Sequence, residues 1–418
     1  MVETRPDLGP AELLVLCLAD RGPKTGDRRP ETGDQQPETT NQEPWPAVIA
    51  LAIREHVAPR LYRRLKDADV RVTLPAEAWK QLRRAYFTSG DRNTRLFREL
   101  RTVLERLRSA GIPVIVLKGA SLAEAVYGDV ALRPMCDSDL LVPQTDLARA
   151  EAVLFDLGGV HKQFQEKESR RRPKHHAPPI LICDLAIELH RTIVTPAAPV
   201  RVDVAGLWDR ACPATVAGIE VLSLSPEDLL LHLCLHFCYD NGCVGLRYLC
   251  DIAETIRHFG SGLDWPRIAD RARKWDATKF AGLSLHLARA MLGAAVPDDV
   301  LERLVPEGID QRVLAAAQET VLSQTSPHQW GSLFDAQGAR SPEEKAEFFK
   351  ERVFLSRDEM AAKYPASRGS SLFPLYYALR LRDGVRAYTF HALRRARLLL
   401  QRRRRERHNA LHNWLTRP

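Results

Sequence analysis

The stretch LRPMCDSDLLV, from Leu132 to Val142, carries two aspartates in a segment that otherwise has the pattern of a buried strand. Side chains at positions i and i+2 of a strand point to the same face, so Asp137 and Asp139 are expected side by side. Two carboxylates at that spacing repel each other, and burial increases the repulsion. We therefore expect a divalent cation between them, or protonation of one carboxylate. Oxygen ligands favour Mg²⁺, with Mn²⁺ as the alternative ion.

A D-x-D pair alone is weak support, because a solvated edge strand or two loop caps give the same letters. A second segment, LAIELHRT at residues 185–192, strengthens the metal interpretation. It alternates in the manner of a strand, with Leu185, Ile187 and Leu189 on one face and Glu188 and His190 on the other. Glu188 is therefore expected to supply a third carboxylate.

A third segment, PVIVLKGAS at residues 113–121, is an apolar run followed by a glycine. The run predicts a buried strand, and Lys118-Gly119 marks the turn into a helix. Backbone N–H groups at such a turn, together with the hydroxyl of Ser121, are suited to hold phosphate. Lys118 and Arg133 are candidates to offset phosphate charge, with salt bridges as the alternative for both. The three segments together indicate metal-assisted phosphoryl or nucleotidyl transfer.

The periodicity of the whole chain predicts a compact α/β unit with a larger helical region behind it. Residues 21–44 hold no large apolar residue and many prolines, glycines and polar residues, which predicts a flexible linker. Within the α/β unit, strands are expected at Val114–Leu117, Met135–Val142 and Leu181–His190. The predicted organisation is an N-terminal helix (1–20), the linker (21–44), a helical segment (45–110), the α/β domain (111–222), a helical domain (223–390) and a basic tail (391–418).

Composition favours a cytoplasmic protein without a membrane span. Eight scattered cysteines in a chain of 418 residues suggest reduced thiols, and no apolar run is long enough to cross a bilayer. The net charge is +8, and the segment from Arg380 to Pro418 holds twelve arginines and no lysine. This tail is expected to be either a solvated helix or a contact for nucleic acid, anionic lipid or an acidic partner.

The helical region contains other residues that could carry chemistry. His232, Cys234, His236 and Cys238 resemble zinc ligands, but on one helix they form two i,i+4 pairs about 200° apart. Buried thiols and a satisfied histidine are the favoured interpretation. Arg247 and Asp251 form a further i,i+4 pair, for which an intrahelical salt bridge is the default prediction.

VLKGASLAEAVYGDVALRPMCDSDLLV, residues 116–142, resembles the bacterial uncharacterised nucleotidyltransferase family of the DNA polymerase β superfamily. The resemblance continues through KHHAPPILICDLAIELHRT and the helical segments LSPEDLLLHLCLHF and LRYLCDIAETI. It implies an α+β protein, in which a small mixed-sheet domain of the nucleotidyltransferase fold precedes a mostly helical domain. It also implies that Asp137, Asp139 and Glu188 hold the metal and that the phosphate turn falls on Lys118, Gly119 and Ser121.

The resemblance implies further contacts around this centre. Arg133 joins the nucleotide-binding set, and Arg247 and Asp251 are expected to line the cleft between the domains. His175, His176 and His190 are candidates to contact phosphate or acceptor, and His190 is preferred because it shares the face of Glu188. One departure from the superfamily pattern is that Gly119 is followed by alanine and lies 18 residues before Asp137.

Two functions are consistent with these features. The first is a Mg²⁺-dependent nucleotidyltransferase that moves NMP from an NTP, such as ATP, to a hydroxyl of a small molecule, protein or RNA. The alternative is a non-catalytic binding or regulatory module on the same fold, with the basic tail contacting nucleic acid or a partner. The intact set of three carboxylates favours the enzyme.

Overall fold

The computed structural model describes residues 9–19, 44–67, 74–161, 175–195 and 198–323, together with Leu411, Trp414 and Leu415. The chain divides into two compact units, Met1–Thr325 and Ser326–Pro418. The description that follows concerns the first unit. The predicted linker, except for Pro44, and nearly all of the predicted basic tail lie outside the described residues.

The first unit combines one mixed sheet with many helices, which confirms the α+β class. Its α-helices are α1 (Pro10–Leu18), α2 (Pro44–Arg54), α3 (Ala58–Asp67), α4 (Ala76–Ser109), α5 (Lys118–Ser121), α6 (Leu147–Asp156), α7 (Val204–Asp209), α8 (Pro226–Leu235), α9 (Leu246–Phe259), α10 (Trp265–Lys274), α11 (Thr278–Leu292), α12 (Asp298–Leu304) and α13 (Gln311–Val321). The strands are β1 (Ile115–Val116), β2 (Asp137–Leu141), β3 (Val160–His161), β4 (Ile180–Ile182), β5 (Leu185–His190), β6 (Cys212–Val216) and β7 (Ile219–Ser223).

The sheet has the strand order β3-β4-β5-β2-β1-β7-β6. At its centre β2 pairs in parallel with β5 and antiparallel with β1. The register sets Asp139 opposite Glu188 and Leu141 opposite His190. Because residues that pair across neighbouring strands project to the same face, this register gathers the polar side chains on one side of the sheet.

The opposite face of the sheet packs on the long helix α4. The apolar stripe of α4, which includes Leu96, Leu100 and Leu104, belongs to one buried cluster with Leu140 and Ile187 of the central strands. These two strand residues alternate with the carboxylates of β2 and β5. The period of two therefore sends the apolar side chains into the core and the carboxylates to the other face.

The prediction of one strand over Leu181–His190 is wrong in detail. Residues 183 and 184 form a turn between β4 and β5, and Cys183 has a positive φ of 49°. A second hairpin, β6–β7, was not predicted; its turn holds Ala217 and Gly218, with φ angles of 53° and 75°. Two successive positive φ angles are typical of the tight turns that suit hairpins.

The first helix after the sheet, α8, begins next to its N-cap residue Ser225. The hydroxyl of Ser225 accepts a hydrogen bond from the backbone N–H of Asp228 at 3.2 Å and caps α8. Asp228 is fully buried and is neutralised by Arg210 at 2.9 Å and Arg271 at 2.8 Å. None of the helices in the described residues has the length and apolar character needed to span a bilayer.

Candidate active site

The carboxylates of β2 and β5 form the centre of the candidate site. Asp139 is almost fully buried, whereas Asp137 and Glu188 are half-buried. Donor atoms of Asp139, Glu188 and His190 all lie within 4.8 Å of one another. The structure therefore brings Asp139 and Glu188 together as predicted and adds His190 to them.

The charges at this centre are strongly coupled. Burial opposes ionisation of Asp139, but Lys118 and a hydrogen bond from His190 outweigh it and hold the pKa of the carboxyl well below its usual range. Burial and the negative charge of Asp139 raise the pKa of Asp137. The predicted repulsion between the two aspartates is thus present, and a divalent cation would relieve it.

Lys118 lies at the end of β1, where α5 begins. Its Nζ is 3.3 Å from Oδ2 of Asp139, in a pair whose side chains are both nearly buried. Although burial disfavours the ammonium, the nearby carboxylates, Asp139 above all, raise the pKa of Lys118. The predicted turn is present as well, because Gly119 and Ser121 follow Lys118 in one short helical segment and are both buried.

Two histidines border Glu188. Nε2 of the buried His190 lies 2.9 Å from Oδ1 of Asp139 and 3.6 Å from Oε2 of Glu188. His176 forms an isolated antiparallel bridge with His190, and its Nε2 lies 3.7 Å from Oε2 of Glu188. The ring of His175 packs against both, at 4.8 Å from His176 and 5.0 Å from His190 between centroids. Burial lowers the pKa of His175 to about 2, so this imidazole is neutral at pH 7.

Arg133 and Asp251 form a buried ion pair beside the site. Nε and Nη2 of Arg133 donate to the two carboxylate oxygens of Asp251 at 2.9 and 2.8 Å, and the hydroxyl of Tyr127 donates to the same carboxylate at 2.9 Å. The remaining nitrogen, Nη1, faces the predicted phosphate turn, since a Cβ added to Gly119 would lie 3.6 Å from it. Arg133 thus ties α9 to the segment before β2.

The expected intrahelical salt bridge between Arg247 and Asp251 is not formed. Arg247 instead donates to the carbonyl of Pro134 at 3.1 Å and to the hydroxyl of Tyr248 at 3.1 Å. The bidentate partner Arg133 provides Asp251 with a better geometry than a helical neighbour does. Arg247 and Asp251 therefore both bind the segment that leads into β2.

A polar group after the end of α8 joins His236, considered above only as a zinc ligand, to Asp240 and Asn241. Nδ1 of His236 lies 3.1 Å from Oδ2 of Asp240, and the amide of Asn241 lies 3.3 Å from Nε2. Burial and then the charge of Lys118 lower the pKa of His236 well below its usual range, so His236 lies close enough to feel the charge of the site's lysine. The H-x-x-x-D spacing on a helix was the available sequence signal.

The prediction of a satisfied histidine is wrong for His232. Both of its ring nitrogens are buried and have no hydrogen-bond partner among the described residues. Burial and the nearby Lys118 lower its pKa well below the usual range, which keeps the imidazole neutral. The four cysteines of this region, Cys234, Cys238, Cys243 and Cys250, are free and buried, as predicted.

Comparison with known proteins gives one broad match and two structural likenesses. None of the curated proteins matches this chain. The solution structure of the antibiotic-resistance factor ANT(2'')-Ia is similar at 16% identity and a TM-score of 0.32, over 46% of this chain and 97% of that chain. The crystal structure of ANT(2'')-Ia with adenylyl-2''-tobramycin gives 17% identity and a TM-score of 0.31, over 43% of this chain and 95% of that one.

The family match covers both the sheet and the helices around the candidate site. It runs over residues 41–293, more than half of the chain, and includes the acidic strands and the helices α8 and α9. The protein therefore belongs to the family of uncharacterised nucleotidyltransferases.

Proposed function

We propose that the protein is a Mg²⁺-dependent nucleotidyltransferase that moves NMP from an NTP to a hydroxyl of an acceptor and releases pyrophosphate. The acceptor class is a small molecule, a protein or peptide, or an RNA end. The observation that carries the proposal is the pairing of Asp139 with Glu188 on neighbouring parallel strands, with Lys118 bound to Asp139. Family membership supports the reaction class.

The residues present fit a divalent cation. Asp137, Asp139 and Glu188 would hold it, because they offer oxygen donors on one face of a rigid sheet. The raised pKa of Asp137 reflects burial and carboxylate crowding, which a cation offsets. A bound Mg²⁺ would neutralise triphosphate charge and orient the α-phosphate for in-line displacement.

The chain's own residues would then contact the phosphates and accept the proton of the acceptor hydroxyl. The Lys118-Gly119-Ser121 turn and Nη1 of Arg133 would meet the phosphates, since these groups border one turn. Despite burial, the nearby imidazole of His190 lowers the pKa of Glu188, which keeps Glu188 ionised and able to accept a proton.

The bond changes balance with no further reactant. The acceptor oxygen forms a bond to the α-phosphorus while the bond from that phosphorus to the bridging oxygen of pyrophosphate breaks. The hydroxyl proton passes to Glu188. His190, His176 and Arg247 are proposed to line the acceptor side or to contact phosphate, since they lie around Glu188 and the segment before β2. Asp251, which was predicted to make such a contact, is buried and bound by Arg133 and Tyr127, so we propose that it positions Arg133.

The test is the double substitution Asp137→Asn with Asp139→Asn. The wild-type protein, labelled NTPs, Mg²⁺ and a cell extract should yield labelled acceptor, and the double variant should yield none. The matched control replaces Asp298 and Asp299 of α12, which are 79% and 62% exposed, by asparagine and should leave transfer intact. Equal transfer by both double variants would overturn the proposed site. Binding of NTP without turnover by the wild type would favour the non-catalytic alternative.

A further inference from the structure

The imidazole of His190 is the nitrogen donor closest to the carboxylates. His190 follows Glu188 by two residues on β5, so both side chains project from the same face. Its Nε2 lies between Oδ1 of Asp139 and Oε2 of Glu188, at 2.9 and 3.6 Å. Oδ2 of Asp139 faces Lys118 instead, so Oδ1 is the oxygen that could bind a ligand together with His190 and Glu188.

The spacing of these donors matches that of ligands around one ion. Two donors bonded to an ion at about 2.1 Å, with an angle of 90–110° between them, stand about 3.0–3.5 Å apart. The two distances from Nε2 to Asp139 and Glu188, 2.9 and 3.6 Å, lie just outside the two ends of this range, and the shorter one is that of the hydrogen bond to Asp139. Asp139, Glu188 and His190 also form a set of potential ligands within 4.8 Å of one another.

The other ring nitrogen of His190 makes no hydrogen bond with the surrounding fold. His190 is 1% exposed, and its Nδ1 has no hydrogen-bond partner among the described residues. A buried polar atom without a partner is unfavourable for stability. The hydrogen bond and ion pairs of the His190 side chain all go to the two carboxylates, while its ring packs on those of His175 and His176.

His176 presents a second nitrogen to the same carboxylate. Its Nδ1 donates to the carbonyl of Ala177 at 2.7 Å, so Nε2 carries the lone pair that lies 3.7 Å from Oε2 of Glu188. An Nδ1–H bonded to a backbone carbonyl is the usual support of a metal-binding imidazole. His176 is the alternative nitrogen donor that an experiment has to distinguish from His190.

We propose that the cation of this site replaces the proton shared by His190 and Asp139, so that Nε2 of His190 binds the ion together with Asp139 and Glu188 while the proton moves to the partnerless Nδ1, and that the site prefers Mn²⁺ to Mg²⁺. Mg²⁺ takes oxygen ligands, whereas first-row transition ions also accept imidazole nitrogen. The inference changes two details of the proposed function: His190 joins the carboxylates as a ligand, and Mn²⁺ takes the place of Mg²⁺ as the preferred ion. It rests on the proposed function only where it assigns the ion a role in nucleotidyl transfer, because ion binding itself is measured without turnover.

The experiment uses the full-length protein and Mn²⁺ as the probe. Electron paramagnetic resonance counts bound Mn²⁺, and its pulsed form detects ¹⁴N nuclei bonded to the ion. We expect a ¹⁴N coupling that is replaced by a ¹⁵N coupling when the protein is grown with [¹⁵N]histidine. Displacement of the ion by Mg²⁺ should require at least about tenfold more Mg²⁺ than Mn²⁺.

Three glutamine variants identify the histidine. His190→Gln should lose the nitrogen coupling and at least about tenfold of the Mn²⁺ affinity. His176→Gln and the exposed control His258→Gln should retain both. The isotope experiment on the wild-type chain needs no substitution, so it stays decisive even if His190→Gln does not fold.

Three other outcomes would overturn the inference, and a fourth would contradict only the proposed function. Bound Mn²⁺ without nitrogen coupling would mean an oxygen-only site and would leave the nucleotidyltransferase proposal standing. Loss of the coupling in His176→Gln alone would assign the ligand to His176. Absence of Mn²⁺ binding would remove the site itself. Nitrogen-coupled Mn²⁺ without NTP consumption would instead contradict the proposed function and keep this inference.

Discussion

The sheet side of the candidate site, on β2 and β5, could be predicted from the sequence more fully than the helix side, on α8 and α9. On the sheet side, Asp139, Glu188 and His190 lie where strand alternation predicts them. On the helix side, the expected pair of Arg247 and Asp251 does not form, and each residue binds the segment before β2. Proximity along the chain was therefore informative on the strands and misleading on the helix.

The difference has a physical cause. A strand sends alternate side chains to opposite faces, and pairing with a neighbouring strand then fixes their mutual positions. On a helix, residues four positions apart can meet, but an exposed pair contributes only about 0.3–0.5 kcal/mol. A buried bidentate partner from elsewhere in the chain outweighs that small gain, as Arg133 does for Asp251.

The largest effect should come from breaking this buried pair. Arg133→Met leaves Asp251 buried without its cation, and such a loss costs about 3–5 kcal/mol of unfolding free energy. Urea unfolding followed by circular dichroism measures it. The matched control is Arg303→Met, which removes an exposed i,i+4 partner of Asp299 and should change stability by less than about 1 kcal/mol.

A double substitution separates the buried charge from lost packing. Arg133→Met with Asp251→Asn should be more stable than Arg133→Met alone, because the neutral amide oxygen still accepts from Tyr127. A double variant less stable than the single one would show that side-chain packing, and not the unpaired carboxylate, accounts for the loss.

The next largest effect concerns Asn93, which supports the sheet side from α4. Its side-chain amide donates to the carbonyls of Val130 and Arg133, and its oxygen accepts from the N–H of Met135. Asn93→Ala leaves these groups of a buried segment without partners, at a cost of about 2–4 kcal/mol. Thr94→Ala, which removes an exposed bond to Gly90, is the control. Equal midpoints in urea for both variants would contradict the supporting role.

The sequence predicted the central part of the fold and missed its edges for a common reason. The strands β2 and β5 and the turn at Lys118 were found because alternation and glycine are direct signals. The turns after β4 and β6 begin with Cys183 and Ala217, whose positive φ angles are unusual for residues other than glycine. The β6–β7 hairpin could have been recognised from Ala217-Gly218 between two alternating runs.

The site was predicted incompletely for a different reason. The carboxylates share one sheet face, so local spacing identified them. The ion pair between Arg133 and Asp251 depends on helix packing, and the contact between His236 and Asp240 depends on a helix terminus. Residue spacing along the chain does not select among such partners, since several acceptable ones exist for each long side chain.

A smaller effect of opposite sign is expected at His232, where the helix side holds two buried ring nitrogens without partners. His232→Leu should stabilise the protein by about 1–2 kcal/mol near pH 7, because an apolar residue of similar size removes the unmet hydrogen bonds. His258→Leu at an exposed position of α9 is the control. Destabilisation by His232→Leu would mean that the imidazole is held by a group it binds.

The gain at His232 should also depend on pH. Burial, reinforced by Lys118, lowers the pKa of the folded imidazole well below 6.5, so below that pH the unfolded chain binds a proton that the folded chain does not. The wild type therefore loses stability as pH falls from 6.5, and the leucine variant lacks this loss. The gain at pH 5.5 should exceed that at pH 7.5 by about 1.4 kcal/mol.

The smallest effect is expected on the sheet side at Ser138, between the two aspartates. Its side chain points into the core on the α4 face, and its hydroxyl is fully buried without a partner among the described residues. Ser138→Ala should therefore raise stability by about 0.5–1 kcal/mol and leave Mn²⁺ binding unchanged, because alternation isolates it from the carboxylate face. Urea unfolding and Mn²⁺ titration of the same samples measure both quantities. A change in Mn²⁺ affinity without a change in stability would show that the two faces of β2 are coupled, which strand geometry alone does not predict.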